Sequence, residues 1–577
     1  MSENIAVFVA WPYANGDLHL GHVAGAYLPA DIFARYHRLR GNNVLMASGS
    51  DAHGTPITLK AKQENRTPKE VVEQYHKRFL EGWERLGITF DLFTLTHTKN
   101  HEEIVQRLFT KLLENGDLSI KKEKQFYDEQ AEMFLPDRYV TGTCPKCSYE
   151  RARGDQCEDC GSTFSSVELL NPISTISETT PVVRDTEHYF FEMSRYKDRL
   201  LEYVSKQAHW RPAVQRFTQS MIEGGLPARA ITRDIDWGVP VPVEGWEEKV
   251  IYVWIDAVVG YLSASVEWAK GEGDETLWEN WWKDDEARSY YFLGKDNVPF
   301  HTVIWPIELM GFDPDLNLPY DVPANQFLQV GGEKLSTSRG LAIWLLEVLD
   351  RFDADAVRYY LASILPENKD SSFTWEGFQN ANNGELAAAW GNLVQRVIGF
   401  TVSKFEGLVP EPVELEEIDQ KLLDKIDASF TAIGELYEAV KLRDATKETM
   451  ALAREVNKYL DETAPWTTIK TDEARAKTSI YVALQAINSL ALLFSPILPQ
   501  ASTRIRSMLG IDEALFGEQE RTTLGEGEDT HETIGFKPLK GKGDRWKPVP
   551  LAAGTSVSKA DGPLFKLLDD EAFQAAS

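Results

Sequence analysis

Residues 5–11 form a short, apolar, partly β-branched run that reads as a buried strand, and it leads directly into the turn Pro12-Tyr13-Ala14-Asn15-Gly16. A helical pattern follows over 18–40 and stops at Gly41, a residue suited to a C-cap. Residues 44–47 read as a second strand. A further helix opens at Thr67-Pro68-Lys69-Glu70, with an N-cap, a proline in the first turn and a capping-box glutamate. Strand, turn, helix and strand again is the grammar of a parallel α/β sheet. At 577 residues the chain is too long for one core, which stops growing at roughly 250–300 residues.

Between 118 and 235 this grammar breaks into short strands, turns and a cysteine cluster, which reads as an insertion. It resumes with expected strands at 249–255, 289–293 and 326–330, a helix at 298–310 and a Gly331-Gly332 turn. Beyond about 340 only helical periodicity remains, over 345–363, 375–403, 416–460 and 474–508, as in a helix bundle. From about 509 the chain turns Gly-, Glu- and Pro-rich and reads as a loosely structured tail.

The formal net charge of −28 argues against a protein that coats nucleic acid non-specifically, although a local basic face can coexist with a negative total. No stretch reaches 18 apolar residues, so no membrane span is expected. The start, MSENIAVFVAW, lacks a basic region followed by an apolar one, and a cytoplasmic location is expected. All four cysteines lie between 144 and 160, as Cys144-x-x-Cys147 and Cys157-x-x-Cys160. Four thiolates so spaced are the sulfur set that zinc prefers, leaving no open position, so one structural zinc is expected; the alternative is a disulfide pair or free thiols.

Two further motifs carry chemistry. His19-Leu20-Gly21-His22 follows the first strand and opens a helix, where free N–H groups attract phosphate. Two histidines three apart share a face, and Gly21 lets a flat ring approach the backbone; taken alone they read first as a pair of satisfied structural histidines, and the strand–turn–helix context reverses that reading. Lys334-Leu335-Ser336-Thr337-Ser338 follows a strand and a Gly-Gly turn, so its lysine can close on a polyphosphate; taken alone, it is an ordinary polar loop.

Together these two motifs resemble the HIGH and KMSKS signatures of the class I aminoacyl-tRNA synthetases. The segments AWPYANGDLHLGH, GSDAHGTP, YVWIDAVVGY, FLGKDNVPFH and DETAPW are similar to those of the methionine-specific branch, in the same order, over about residues 5–510. The resemblance implies a Rossmann-like parallel sheet split by a zinc-containing insertion, followed by an α-helical anticodon-binding bundle. The implied division is 1–117 and 236–325 for the two catalytic halves, 118–235 for the insertion, 326–385 for the signature loop and stem contact, 386–508 for the bundle and 509–577 for the tail.

It implies catalytic roles for His19, His22 and Lys334, and ATP contacts from these together with Gly21, Asp296, Ser336 and Ser338, with Mg²⁺ accompanying ATP. Tyr13, Asp51, Trp254, Tyr261 and His301 match the amino-acid pocket, Asp51 as the carboxylate for the α-ammonium group. Asn392 and Arg396, four apart on one helix face, and Trp466 match anticodon-reading positions for the triplet CAU. The implied partners are ATP, L-methionine and methionine tRNA, initiator and elongator, and a monomer is expected. Trp11 and Val258 depart from the smaller aliphatic residue and the proline that this branch usually carries. Thr337 replaces the second signature lysine, and Arg339 stands near enough to supply charge in its place. Another class I synthetase and a catalytically silent tRNA-binding paralogue are the alternatives.

Overall fold

The computed structural model describes residues 2–154, 157, 159, 160, 162, 164–330, 333, 334, 342–539, 543–569 and 572, with the backbone alone at 137, 333 and 334. A seven-stranded sheet organises the molecule. Its strands are β1 (Asn4–Val9), β2 (Asn43–Ser50), β3 (Leu92–Leu95), β4 (Arg288–Gly294), β5 (Ala324–Asn325), β6 (Glu518–Leu524) and β7 (His531–Lys537), in spatial order β5-β4-β1-β2-β3-β7-β6. The first five are parallel, with Ile5 opposite Val44 on one side and Arg288 on the other. Both faces of β1 are covered, which explains its unbroken apolar run. The chain leaves β1 toward β2 and returns much later to β4 on the other side. A crevice at such a switch point, beyond the carboxyl ends of the strands, is where ligands bind in open parallel sheets.

The helix Pro68–Leu86 starts as expected, with the Thr67 and Glu70 side chains each accepting from the other's backbone N–H. The segment after β3 and its helix forms a small antiparallel sheet, in which Leu118–Asp128 pairs along its length with Val182–Phe191. Two helices, Lys197–Ser205 and Pro212–Glu223, then return to the main sheet, where Trp210 Nε1 donates to the Tyr320 carbonyl at 2.9 Å.

The strand expected over 249–255 is only Val250–Ile251; from Val253 to Gly271 the chain is helical. That helix is buried on nearly every side, so its sequence shows an apolar run and not a 3.6-residue rhythm. The strand expected at 326–330 is Leu328–Val330. It stands outside the main sheet, between Glu333–Lys334 and Ser371–Phe373.

The bundle contains Glu417–Glu438, Leu442–Thr463, Glu473–Phe494 and Pro499–Met508, and the run expected over 416–460 breaks where Val440 adopts a φ of 50°. Glu473–Phe494 is long and apolar enough to cross a membrane, but it is mostly buried inside the bundle. Arg358, fully buried, joins the modules. It donates to Asp31 Oδ2 at 2.7 Å, to the Ile497 carbonyl at 2.8 Å and to the Gly87 carbonyl at 3.2 Å. Burial pushes the Asp31 carboxyl up, but Arg35 and Arg358 outweigh it and hold it below the usual range.

The segment beyond 509 is not the loose tail its composition suggests. β6 and β7 form a hairpin that extends the main sheet, with Ile534 and Gly535 opposite Phe93 and Leu92. The chain then crosses back to the bundle, where Trp546 packs against Tyr36, Phe430 and Tyr437. Alternating threonines and charges along 518–537 form a half-exposed ribbon whose inner face is Ile534 and Phe536.

Candidate active site

A cleft of about 330 Å³ opens at the carboxyl ends of β1 and β4, at the switch point. The helix after β1 begins at Leu20–His22, passes through a π turn at Val23–Tyr27 and continues as Leu28–Leu39. Its first turn is capped by imidazoles. The His22 backbone N–H donates to His19 Nδ1, the His19 N–H donates to His22 Nδ1, both at 3.3 Å, and the rings stack 3.7 Å apart. With both Nδ1 atoms accepting, a neutral ring carries its proton on Nε2. Inserted π turns recur at functional sites. A Cβ added at Gly25, within this one, would meet no atom within 4 Å and would project into open space.

Tyr13, His19, Gly21, His22, Trp254 and Asp296 all line the cleft. Trp254 lies flat on Phe300 with ring centroids 4.2 Å apart, and Tyr13 meets it edge-on at 6.3 Å. Asp296 is exposed at the mouth, and a side chain on Gly294 would come within 2.8 Å of its Oδ1. Asp51, Tyr261 and His301 do not line the cleft; they are buried close behind it. Asp51 N–H donates to the Pro12 carbonyl and Ala14 N–H to the Asp51 carbonyl, which fixes it beside Tyr13. Burial, and then the negative charge of Asp256, push the Asp51 carboxyl well above the usual range. His301 Nδ1 is 2.9 Å from the Asn297 carbonyl, leaving Nε2 to accept from the Tyr261 hydroxyl at 2.7 Å. Burial lowers the His301 imidazole to about 4, so this ring is neutral at physiological pH.

Trp11, the residue that departs from the expected pattern, also lines the cleft. Its ring fills the space between Gly49 and Gly260, where a Cβ would approach it to 2.0 and 2.7 Å. Val258, the other departure, is buried in the helix wall. Ser336, Thr337, Ser338 and Arg339 lie outside the described residues, as does the Lys334 side chain. The ends of that segment are anchored at the cleft. The Lys334 backbone pairs with Gln329, next to the cleft residue Leu328. At the other end the Ile343 carbonyl accepts from Leu20 N–H at 3.0 Å, and Trp344 bridges to His19. Arg138, Gln326 and Phe327 also line the cleft and were missed. Arg138 comes from the insertion, and nothing in its local sequence signals that it folds over a site more than a hundred residues away.

The four cysteine sulfurs lie within 4.8 Å of one another, with Cys144–Cys160 at 3.9 Å and Cys147–Cys157 at 3.6 Å. A disulfide needs about 2.05 Å, whereas tetrahedral thiolates about 2.3 Å from a metal stand about 3.8 Å apart. The cluster therefore has the spacing to hold a metal ion. In the helical region Arg396 lies over the Trp466 ring at 4.8 Å, and Asn392 is exposed one turn earlier on the same helix.

The family model described as tRNA synthetases class I (M) matches residues 5–398, and that of the anticodon binding domain of methionyl tRNA ligase matches 409–533. The chain is 53% identical to a methionine–tRNA ligase of Thermomicrobium roseum, covering 100% of this chain and 98% of that one. It is 46% identical to that of a Roseiflexus species, covering 99% and 97%. Among solved structures, Mycobacterium tuberculosis methionyl-tRNA synthetase in complex with methionyl-adenylate superposes with a TM-score of 0.77 at 25% identity, covering 98% of this chain and 100% of that one. The chain belongs to the class I aminoacyl-tRNA synthetases. Within that class it belongs to the methionine–tRNA ligases.

Proposed function

We propose that the chain activates L-methionine with ATP and transfers it to methionine tRNA, with the cleft between Trp254 and the stacked histidines as the adenylation site. The observation that carries this reading is the reciprocal capping of His19 and His22, which fixes the two stacked imidazoles at one mouth of an aromatic-lined cleft. The methionine carboxylate oxygen attacks the α-phosphorus of ATP, the bond to the β-phosphate bridge breaks, and pyrophosphate leaves. Positioning and charge stabilisation dominate such transfers. His19 and His22 hold the triphosphate, the Gly21 backbone borders the purine, Asp296 holds the ribose, and Ser336 and Ser338 contact ATP. Lys334 meets the charge developing toward pyrophosphate, and Mg²⁺ accompanies ATP. In the second step the 2′-hydroxyl of the terminal tRNA ribose attacks the adenylate carbonyl and AMP leaves.

Tyr13 and Trp254 at the cleft, with Tyr261 and His301 buried behind it, form the side-chain pocket, suited to a thioether because sulfur packs well against rings. Asp51 pairs with the α-ammonium group. Zinc is the ion that best fits the four sulfurs of Cys144, Cys147, Cys157 and Cys160, where it would close the knuckle without an open coordination position. Asn392, Arg396 and Trp466 read the anticodon by hydrogen bonds and stacking. The deciding experiment is methionine-dependent exchange of labelled pyrophosphate into ATP, followed by charging of methionine tRNA. Exchange with methionine alone is expected. Exchange with a different amino acid would assign another class I activity, and exchange with none would leave a tRNA-binding protein.

A further inference from the structure

Behind Asp51 lies a group of titratable side chains, buried except for His97 at its edge, that the adenylation chemistry does not use. His53 Nδ1 lies 2.9 Å from one Asp256 carboxylate oxygen, and His101 Nε2 lies 2.8 Å from the other. His101 Nδ1 meets the Ser263 hydroxyl at 2.8 Å, and His53 Nε2 meets His97 Nδ1 at 3.2 Å. Asp256 and His101 are fully buried and His53 nearly so. A buried carboxylate flanked on both oxygens by imidazoles holds those rings in fixed orientations.

His53 also reaches the amino-acid site, because its backbone N–H donates to Asp51 Oδ1 at 3.2 Å. The residue between them is held from both sides. Ala52 N–H donates to Thr96 Oγ1 at 2.9 Å, and the Ala52 carbonyl accepts from Trp237 Nε1 at 2.7 Å. Trp237 in turn stacks on His97 at 4.4 Å. A side chain that loosened His53 would therefore loosen the segment that carries Asp51.

We propose that Asp256, held between His53 and His101, is a positioning residue of the amino-acid site: it locks the 51–53 segment so that the Asp51 carboxylate faces the substrate's α-ammonium group. This rests on the reading of Asp51 given above. The charged and titratable groups around Asp256 are Asp51 at the end of β2, His53, His97 after β3, His101 on Lys99–Glu114 and Glu308 on Trp305–Phe312. Burial pushes Asp256 up, but the two imidazoles outweigh it and keep it ionised, and its charge then discourages ionisation of Asp51. A bound ammonium group relieves that repulsion.

The test is pyrophosphate exchange by Asp256→Asn in the full chain from about pH 5 to 9, with KM for methionine and for ATP measured separately. The methionine KM should rise about tenfold or more with the ATP KM within about twofold, and the acid limb of kcat/KM for methionine should move to lower pH. A limb that stays in place, or equal changes in both KM values, overturns the proposal. Asp51→Asn is the reference. If it leaves the methionine KM unchanged, the reading of Asp51 fails and the positioning role falls with it. If it raises that KM while a natively folded Asp256→Asn does not, the positioning role alone fails. Should Asp256→Asn not fold, Ser263→Ala releases His101 and keeps the carboxylate. A selective rise of about two- to fivefold in the methionine KM then supports the proposal, and none overturns it.

Discussion

Replacing Gly260 with alanine puts two known effects in opposition. Gly260 lies inside the helix Val253–Gly271, where alanine is favoured by about 1 kcal/mol on propensity alone. Its new methyl group would stand 2.7 Å from Cε2 and Cζ2 of Trp11. Overpacking of this kind costs about 1–3 kcal/mol. The ring cannot retreat toward Gly49, where the Thr94 carbonyl and the strand backbone already close the space, so it must move into the cleft it lines. Global stability should fall by no more than about 2 kcal/mol, because the propensity gain offsets part of the overpacking, whereas methionine use should suffer. A displacement worth about 1.4 kcal/mol lowers kcat/KM tenfold. Pyrophosphate exchange at varied methionine should show that loss, with the ATP KM unchanged, and Trp11→Leu in the same chain should restore most of it. An unimpaired Gly260→Ala, or a double variant no better than the single one, would refute the claim that Trp11 shapes the amino-acid pocket.

Glu308 is fully buried, neither carboxylate oxygen has a hydrogen-bond partner among the described residues, and burial followed by the charge of Asp256 pushes its carboxyl well above the usual range. Its proton is bound in the folded state and lost in the unfolded one once the pH exceeds the ordinary carboxylate value, so stability falls as pH rises, by about 1.4 kcal/mol per pH unit. Glu308→Gln lacks that dependence, and its calorimetric Tm should gain on the parent protein from about pH 5 to 8; parallel curves would contradict the assignment. Arg396→Ala and Trp466→Ala should each raise the tRNA KM about tenfold in charging, from loss of stacking and hydrogen bonds, without altering pyrophosphate exchange. One zinc per chain should be found by elemental analysis and be lost in Cys147→Ser, with a lower Tm; an undiminished metal content in that variant would place the ion elsewhere.

The strands β1, β2 and β4 were legible because residues 5–9, 44–47 and 289–293 are short, largely apolar runs, whereas β3 and β5, four and two residues long, leave too short a pattern to read. The helix Pro68–Leu86 was equally legible, since Thr67, Pro68 and Glu70 spell out its first turn locally. Burial hid Val253–Gly271 for the opposite reason. With Val258, Val259, Tyr261 and Leu262 all covered, little polar face remained to mark the helical period, and Trp254 fell within the strand expected over 249–255 when it stands on a helix. At the site, spacing and resemblance together located the histidine pair, but not their mutual capping through Nδ1, which depends on ring rotamers. Arg138 and the Asp256 pair with His53 and His101 are assembled by tertiary contacts between distant segments, and no local pattern encodes them.

The hairpin β6–β7 gives the molecule a particular order of manufacture. The outer edge of β3 finds its partner only in residues made roughly 440 positions later. At 5–20 residues per second that is a wait on the order of tens of seconds on the ribosome. During that interval the nascent chain presents an open strand edge able to pair with a neighbouring copy. Ribosome crowding on this message, or a stop codon before 518, should therefore reveal itself first as insoluble protein and only afterwards as lost activity.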